Sequence, residues 1–374
     1  MSQAELPSHE RTGSTNSLSH WIETWYLATP ETGENHPDHG SQQGLTYYPR
    51  LSNSQLMLAI GVDLGGTNLR VAAGDERGNI LRRVEERVER DRGPEGVGKQ
   101  IIRMTHSLDL ETEEITGIGI GSLGPLDIRR GVIVLAPNLP FNNVPLKEPL
   151  EKAFHCPIRV LNDCSAAVLG ERVFGAGKGM DNSCYVTISS GIGCGAYVDG
   201  RLLLGKDGNA HEMGHTIIDY SGRLACGCGR RGHWEAYCSG NNLPNYVRLW
   251  IKENRAEKAF AKSMLAELLH GDMSRLSAKM VFDCAGAGDE LCLRILEDLG
   301  RLNAIGFANT IAAYDPELIT VGGSVTLNNQ RMIMEPIGRY VKELSVNRLP
   351  EIKVTPLGGD VVLHGALAMS FTNY

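Results

Sequence analysis

The sequence predicts an α/β protein of two lobes with a cleft between them, and three observations carry that prediction. From Met57 onward, strand-like and helix-like segments alternate along the chain. Two stretches, "GVDLGGTNLR" at 61–70 and "TISSGIGCG" at 187–195, each run from an apolar strand through a glycine turn into a second strand. The 374 residues also exceed the length, roughly 250 to 300, at which a single hydrophobic core stops growing.

Residues 1–56 are rich in Ser, His, Pro, Glu, Gly and Asn and lack sustained periodicity, so a disordered tail is expected there. Within it the i, i+4 pairs Trp21 with Trp25 and Ile22 with Tyr26 suit one amphipathic turn. Met57 directly precedes the first strong strand and is a candidate start of translation. "MLAIGVDLGG" is an apolar strand entering a glycine turn, "TNLRVAAGD" a second strand and "GNILRRVEERV" a third. "VGKQIIRMTHSL" follows as a helix, and "ITGIGIGSLGPLD" as a buried strand ending in a Gly/Pro loop. A helix near 146–154 leads to the strand "PIRVLND" and the helix "CSAAVLGERVFG". The second lobe opens with "SCYVTISSGIGCGAYVDGRLL", then has a long helix near 288–313 and the strand-turn "PELITVGGSV". The expected bounds are 57–174 for a smaller lobe and 175–360 for a larger one, with a helix at 361–374 packing back on the first.

Composition narrows the classes. The chain is 42% hydrophobic and 22% charged, as in a soluble globular protein, and no apolar run reaches the roughly 20 residues of a membrane span. A net charge of -7 with no basic patch gives no general attraction to nucleic acid. The N-terminus has no secretory signal pattern, so a cytoplasmic location is expected. Nine scattered cysteines, an odd number, do not form a disulfide framework.

The two glycine turns carry phosphate chemistry. Gly65 and Gly66 let the backbone approach a bulky anion, Thr67 can donate to a phosphate oxygen, Asn68 and Arg70 stand close by, and Asp63 can hold a hydrated Mg²⁺. The pattern is neither a Walker loop nor a Rossmann fingerprint, because it lacks Gly-Lys-Ser/Thr and continues as a strand rather than a helix. A tight hairpin would explain the glycines alone; the combination of Asp, Gly-Gly, Thr and Arg favours phosphate. The second turn repeats the arrangement with Thr187, Ser189, Ser190, Gly191 and Gly193.

Between 211 and 235, "HEMGHTIIDYSGRLACGCGRRGHWE" holds a metal-ligand set. His215, then ten residues, Cys226-x-Cys228, then four residues and His233 supply two imidazoles and two thiolates. That is a complete tetrahedral zinc set without an open position, the mark of a structural site. "HEMGH" also fits the H-E-x-x-H pattern of metalloproteases, but that motif needs a helix and glycines at 208 and 214 oppose one, so His211 is read as a loop residue.

In order and separation, "IGVDLGGTNLR", "LNDCSAAVLGE", "HEMGH" and "CGCGRRGHWEAYCSG" resemble the ROK family of sugar kinases and sugar-responsive repressors, over the chain from about residue 57 to its end. The resemblance implies a two-lobed actin-like ATPase fold of the hexokinase, ribonuclease H-like, superfamily, with ATP and a hexose meeting in the cleft. Relatives usually carry a third cysteine where this chain has His233, which makes Cys238 the substitute ligand to consider. Asp163 ends an apolar strand and starts a helix, where an Asp commonly serves as the N-cap; the resemblance makes it the catalytic base. It also places Asn138, Asn162, Glu212, His215 and Glu235 on the hexose, with Ser122 and Gly124 in a nearby loop where Leu123 replaces a common proline. Gly322 and Gly323 would lie against adenosine. Folding the loop around zinc would leave one ring nitrogen of His215 free to donate to a sugar hydroxyl. The resulting expectation is an ATP-dependent hexose kinase with Mg²⁺ and structural Zn²⁺, glucose as first substrate, and a homo-oligomer, dimer or tetramer. An N-acetylmannosamine or N-acetylglucosamine kinase is the alternative. A repressor is disfavoured, because residues 1–56 offer no helix-turn-helix pattern.

Overall fold

The computed structural model describes residues 57–110, 115–135 and 139–374. The expected tail, its amphipathic turn and Asn138 lie outside these residues.

The chain begins with β1 (Leu58–Leu64), β2 (Asn68–Asp75) and β3 (Ile80–Arg87), followed by α1 (Pro94–His106) and β4 (Ile115–Ser122). Three two-residue strands, β5 (Leu126–Asp127), β6 (Val132–Ile133) and β7 (Val144–Pro145), form a small sheet of their own. Then come α2 (Lys147–Phe154), β8 (Ile158–Asn162) and α3 (Asp163–Val173). A second set opens with β9 (Ser183–Ile188), β10 (Ile192–Val198) and β11 (Arg201–Leu202). After the segment at 203–234, helices follow as α4 (Glu235–Cys238), α5 (Leu243–Glu253), α6 (Glu257–Phe260), α7 (Met264–Leu269), α8 (Ala278–Gly286) and the long α9 (Glu290–Tyr314). The chain closes with β12 (Leu318–Gly322), α10 (Ser324–Asn328), α11 (Gln330–Leu344), β13 (Glu351–Val354) and α12 (Val361–Phe371).

Two five-stranded sheets repeat one topology, β3-β2-β1-β4-β8 and β11-β10-β9-β12-β13. In each, three consecutive strands pair antiparallel and the first of them pairs parallel to a later strand, which in turn pairs parallel to the last. The parallel strands are buried on both faces, as "LAIGVDL" and "LITVG" require, while β3 is a charged edge strand that blunts pairing with another chain.

α3 joins the two halves, packing on β4 and β8 of the first sheet and on β9 and β10 of the second. α12 lies between α3 and strands β1 and β4, and its apolar sequence all round the helix fits burial on every side. Elsewhere Trp234 is fully buried, edge-on to Phe307 at 5.6 Å between centroids, with its indole N–H donating to Asn303 at 2.9 Å. This fixes the chain immediately before Glu235 in the core.

Candidate active site

The parallel register of β1, β4 and β8 sets Leu64 beside Ser122 and Ser122 beside Asn162. Asp63, Ser122 and the Asn162–Asp163 pair therefore stand at one edge of the sheet, at its carboxyl ends, where open α/β sheets hold ligands. Neighbouring strands lie about 4.8 Å apart, so this edge spans a small molecule.

At the first hairpin, Gly65 N–H closes the turn on the Asn68 carbonyl at 3.0 Å. Asp63 faces Arg70 across the register; Arg70 Nε donates to Asp63 at 3.0 Å, Nη2 donates to the same oxygen, and Nη1 donates to Asp360 at 3.0 Å. Burial pushes the Asp63 carboxyl up, against the pull of Arg70. Arg70, expected at the phosphates, thus spends its donors on two carboxylates, and Asn68 donates to Glu85 at 3.1 Å. Thr67 is exposed at the turn and Gly66 half-buried, with Arg90 donating to the Gly66 carbonyl.

Asp163 is the first residue of α3, yet the cap is Asn162, with extended backbone and its Oδ1 accepting from Cys164 N–H at 2.9 Å. Burial raises the Asp163 pKa to about 6, the negative charges of Asp63 and Glu212 add to the rise, and the Cys164 N–H opposes it. Ser122 is fully buried. Its hydroxyl donates to the Leu123 carbonyl at 3.1 Å. The Gly124 loop runs on into Leu126, whose backbone pairs with the side chain of Asn209.

The loop after β11 brings Glu212 and His215 to this edge. The Glu212 carboxyl is exposed on one side but desolvated on the other, which raises its pKa, with Glu235 adding to the rise and His215 opposing it. His215 closes a short helical turn, Met213–His215, with Nε2 3.9 Å from Glu212 and Nδ1 3.7 Å from Cys226 Sγ. Cys228 Sγ lies 3.3 Å from His233 Nδ1. One donor atom from each of His215, Cys226, Cys228 and His233 falls within 4.8 Å of the others, spacing that suits metal–sulfur and metal–nitrogen bonds of about 2.3 and 2.0 Å. Cys238 is elsewhere, its thiol buried and directed to the Leu299 carbonyl at 3.9 Å. The H-E-x-x-H helix does not form.

Glu235 begins α4 and reaches the second hairpin: it accepts from Ile192 N–H at 2.9 Å, and Cys226 Sγ donates to its other oxygen at 3.4 Å. In that hairpin Ser189 N–H bonds the Gly191 carbonyl at 2.9 Å, and Thr187 sits between Gly193 of β10 and Gly322 of β12. Ser190 is exposed at the turn. Gly323 has φ +86° and its Cα lies so close to Ile188 and Thr187 that a side chain would overlap them. Ser189 and Ser324 share a hydroxyl–hydroxyl bond at 2.9 Å. Thus Gly322 and Gly323 lie next to the hairpin of Thr187, Ser190, Gly191 and Gly193.

Asp360, Asn209 and Ser324 were not singled out by sequence reasoning. Each acts on a partner 83 to 290 positions away, so no local pattern marks it.

The ROK family profile matches residues 59–370. The glucokinase of Pyrobaculum calidifontis is 39% identical over 313 residues, 83% of this chain and 94% of that protein. A ROK family glucokinase from Streptomyces griseus, whose crystal structure holds glucose and AMPPNP, superposes with a TM-score of 0.67 at 30% identity, over 83% of this chain and 98% of that one. A ROK hexokinase from Thermus thermophilus gives 0.67 and 30%, over 84% and 98%. With the family profile covering nearly all the described residues, and relatives of this identity along the same span, the chain belongs to the ROK family.

Proposed function

We propose that the protein is an ATP-dependent glucose kinase that transfers the γ-phosphate of Mg-ATP to the C6 hydroxyl of glucose, with Asp163 as general base. The observation that carries the reading is the state of Asp163: a half-buried carboxylate at a strand-to-helix junction, raised to about 6, that shares the Cys164 N–H with the capping Asn162 and so keeps its second oxygen free. A base of that pKa is mostly ionised at neutral pH and still takes a proton readily.

In the reaction Asp163 accepts the hydroxyl proton while the sugar oxygen bonds to the γ-phosphorus and the bond to the β-phosphate oxygen breaks, which yields the sugar phosphate and ADP. Asp63 is the residue that would hold the magnesium of Mg-ATP, which neutralises phosphate charge. The turns at Gly65, Gly66 and Thr67 and at Thr187, Ser190, Gly191 and Gly193 offer amides and hydroxyls to the phosphates, and Gly322–Gly323 gives the adenosine an uncluttered surface. Gly124, Asn138, Asn162, Glu212, His215 and Glu235 bind the hexose, while the buried Ser122, its hydroxyl turned to the Leu123 carbonyl, shapes the loop beneath them. The two sheets make the lobes, 57–174 with the C-terminal helix and 175–360.

His215, Cys226, Cys228 and His233 would hold a structural zinc ion. Their donor set and spacing fit it, and with Nδ1 of His215 turned to the thiols, its Nε2 is left on the Glu212 side. The test is ADP release from Mg-ATP with glucose, mannose, fructose, N-acetylglucosamine and N-acetylmannosamine. Turnover highest on glucose is expected; turnover on an amino sugar alone overturns the substrate, and turnover on none overturns the kinase.

A further inference from the structure

His211 is the histidine of the 211–235 run that the metal group leaves out. It is buried, and its backbone has φ +54°, a left-handed conformation that residues other than glycine rarely adopt. Such a conformation persists where the surroundings impose it. Here two bonds do so. The His211 carbonyl accepts from Met213 N–H at 2.7 Å, opening the Met213–His215 turn, and the imidazole Nε2 lies 3.0 Å from the hydroxyl of Ser165, which is fully buried.

The placement of the two partners gives this bond its meaning. Ser165 is two residues beyond Asp163 in the first turn of α3, and His211 is one residue before Glu212. A single side-chain bond therefore joins the helix that bears the base to the loop that bears Glu212 and His215. Both bodies also rest on β10: α3 packs on it, and Gly214 lies so close to the Ile192 carbonyl that a side chain there would overlap it. The backbones of Cys194 in β10 and of Leu203 also hold the His211 ring, and the directional bond to Ser165 is the side-chain link that ties this anchored ring to α3. On the far side of His211, the Asn209 amide accepts from Leu126 N–H and donates to the Leu126 carbonyl, each at 2.8 Å, so the loop has a second anchor. Burial lowers the His211 pKa, which suits a neutral ring as the hydroxyl's partner.

We infer that His211 is a positioning residue of the sugar site, holding Glu212 and His215 in register with Asp163 through Ser165. The inference rests on the hexose kinase reading above. The test uses the full chain, with His211→Gly, which suits the left-handed backbone and removes only the ring, and Ser165→Ala, which leaves the backbone unchanged. Both variants fold and raise the KM for glucose, His211→Gly by about tenfold or more, while the KM for Mg-ATP stays within about twofold. The double variant is no worse than the worse single one, because both remove one shared bond. His211→Gln, whose amide nitrogen reaches about as far as Nε2, keeps a partner for Ser165 and recovers part of the glucose affinity. Glucose KM unchanged in both single variants, or both substrates weakened alike, overturns the inference and leaves the kinase intact. A parent protein that phosphorylates no hexose overturns the reading and the inference together.

Discussion

Asn162 and Asp163 accept the same proton: the Cys164 N–H lies 2.9 Å from the Asn162 amide oxygen and 2.8 Å from the Asp163 carboxylate. The amide of Asn162 is the cap in geometry, which leaves the second oxygen of Asp163 for a substrate hydroxyl. Asp163→Asn keeps the helix start, because Asn162 still caps it, and removes the proposed proton acceptor. Turnover in this variant falls by about 10² to 10⁴ while glucose binding, measured by calorimetry, persists. Near-normal turnover would show that another group takes the proton.

The pH profile follows from the same residue. As the proposed base Asp163 must be ionised to act, and its pKa is raised to about 6, chiefly by burial. The kcat/KM for glucose is level above that value and falls by about tenfold for each pH unit below it. A profile still flat down to pH 4.5 would remove Asp163 from the role.

Stability runs the opposite way. An Asp titrates near 3.8 when unfolded, and the folded-state value is higher, so between the two the folded protein binds more protons. Its contribution to stability is complete below the unfolded value and lost as pH rises through about 6. Asp163→Asn therefore raises the Tm at pH 7 and 8, and the gain shrinks toward pH 4. An unchanged Tm at pH 8 would mean that the ionised carboxylate is well compensated in the fold.

Much of this site is legible in the sequence because its parts are local. Asp63 with Gly65 and Gly66 is a hairpin, Cys226 and Cys228 form a pair two apart, and Asp163 ends an apolar run, so each shows in a window of ten residues. The repeated sheet shows in the same way, through two strand–glycine–strand openings. What stays hidden is pairing at a distance. Arg70 reads as a phosphate ligand until Asp360, 290 positions later, arrives beside it. His211 reads as spare until Ser165 does. Whether Asn162 or Asp163 caps α3 also depends on backbone angles that neighbouring letters do not fix.

The metal group gives a prediction with two readouts. If the four donors hold zinc as proposed, the parent protein contains one equivalent by elemental analysis, and Cys228→Ser, which removes one donor, lowers it and loosens the loop carrying Glu212, His215 and Glu235. Glucose KM rises by about 10- to 100-fold, as for groups that hold a site from behind. Full zinc content in the variant would refute the ligand set. Retained affinity after complete zinc loss would separate the metal from the sugar site.

The last prediction distinguishes two roles for Arg70. If its guanidinium grips phosphate, Arg70→Met weakens Mg-ATP and no amount of magnesium restores it. The geometry favours the other role: Arg70 is bound to Asp63 through two nitrogens and to Asp360 through a third, so it holds the carboxylate that would carry the metal. Removing it leaves Asp63 largely buried and without its cation, and burial then drives that carboxyl toward its neutral form, a poor metal ligand. The expected result is a loss of about 10- to 100-fold in kcat/KM for Mg-ATP, with glucose affinity by calorimetry unchanged and activity partly recovered as free magnesium rises. Asp360→Asn, which releases one of the three donors at a half-exposed position, shifts the magnesium dependence in the same direction by less. Magnesium-insensitive loss in Arg70→Met, with Asp360→Asn equal to the parent protein, would return Arg70 to the phosphates.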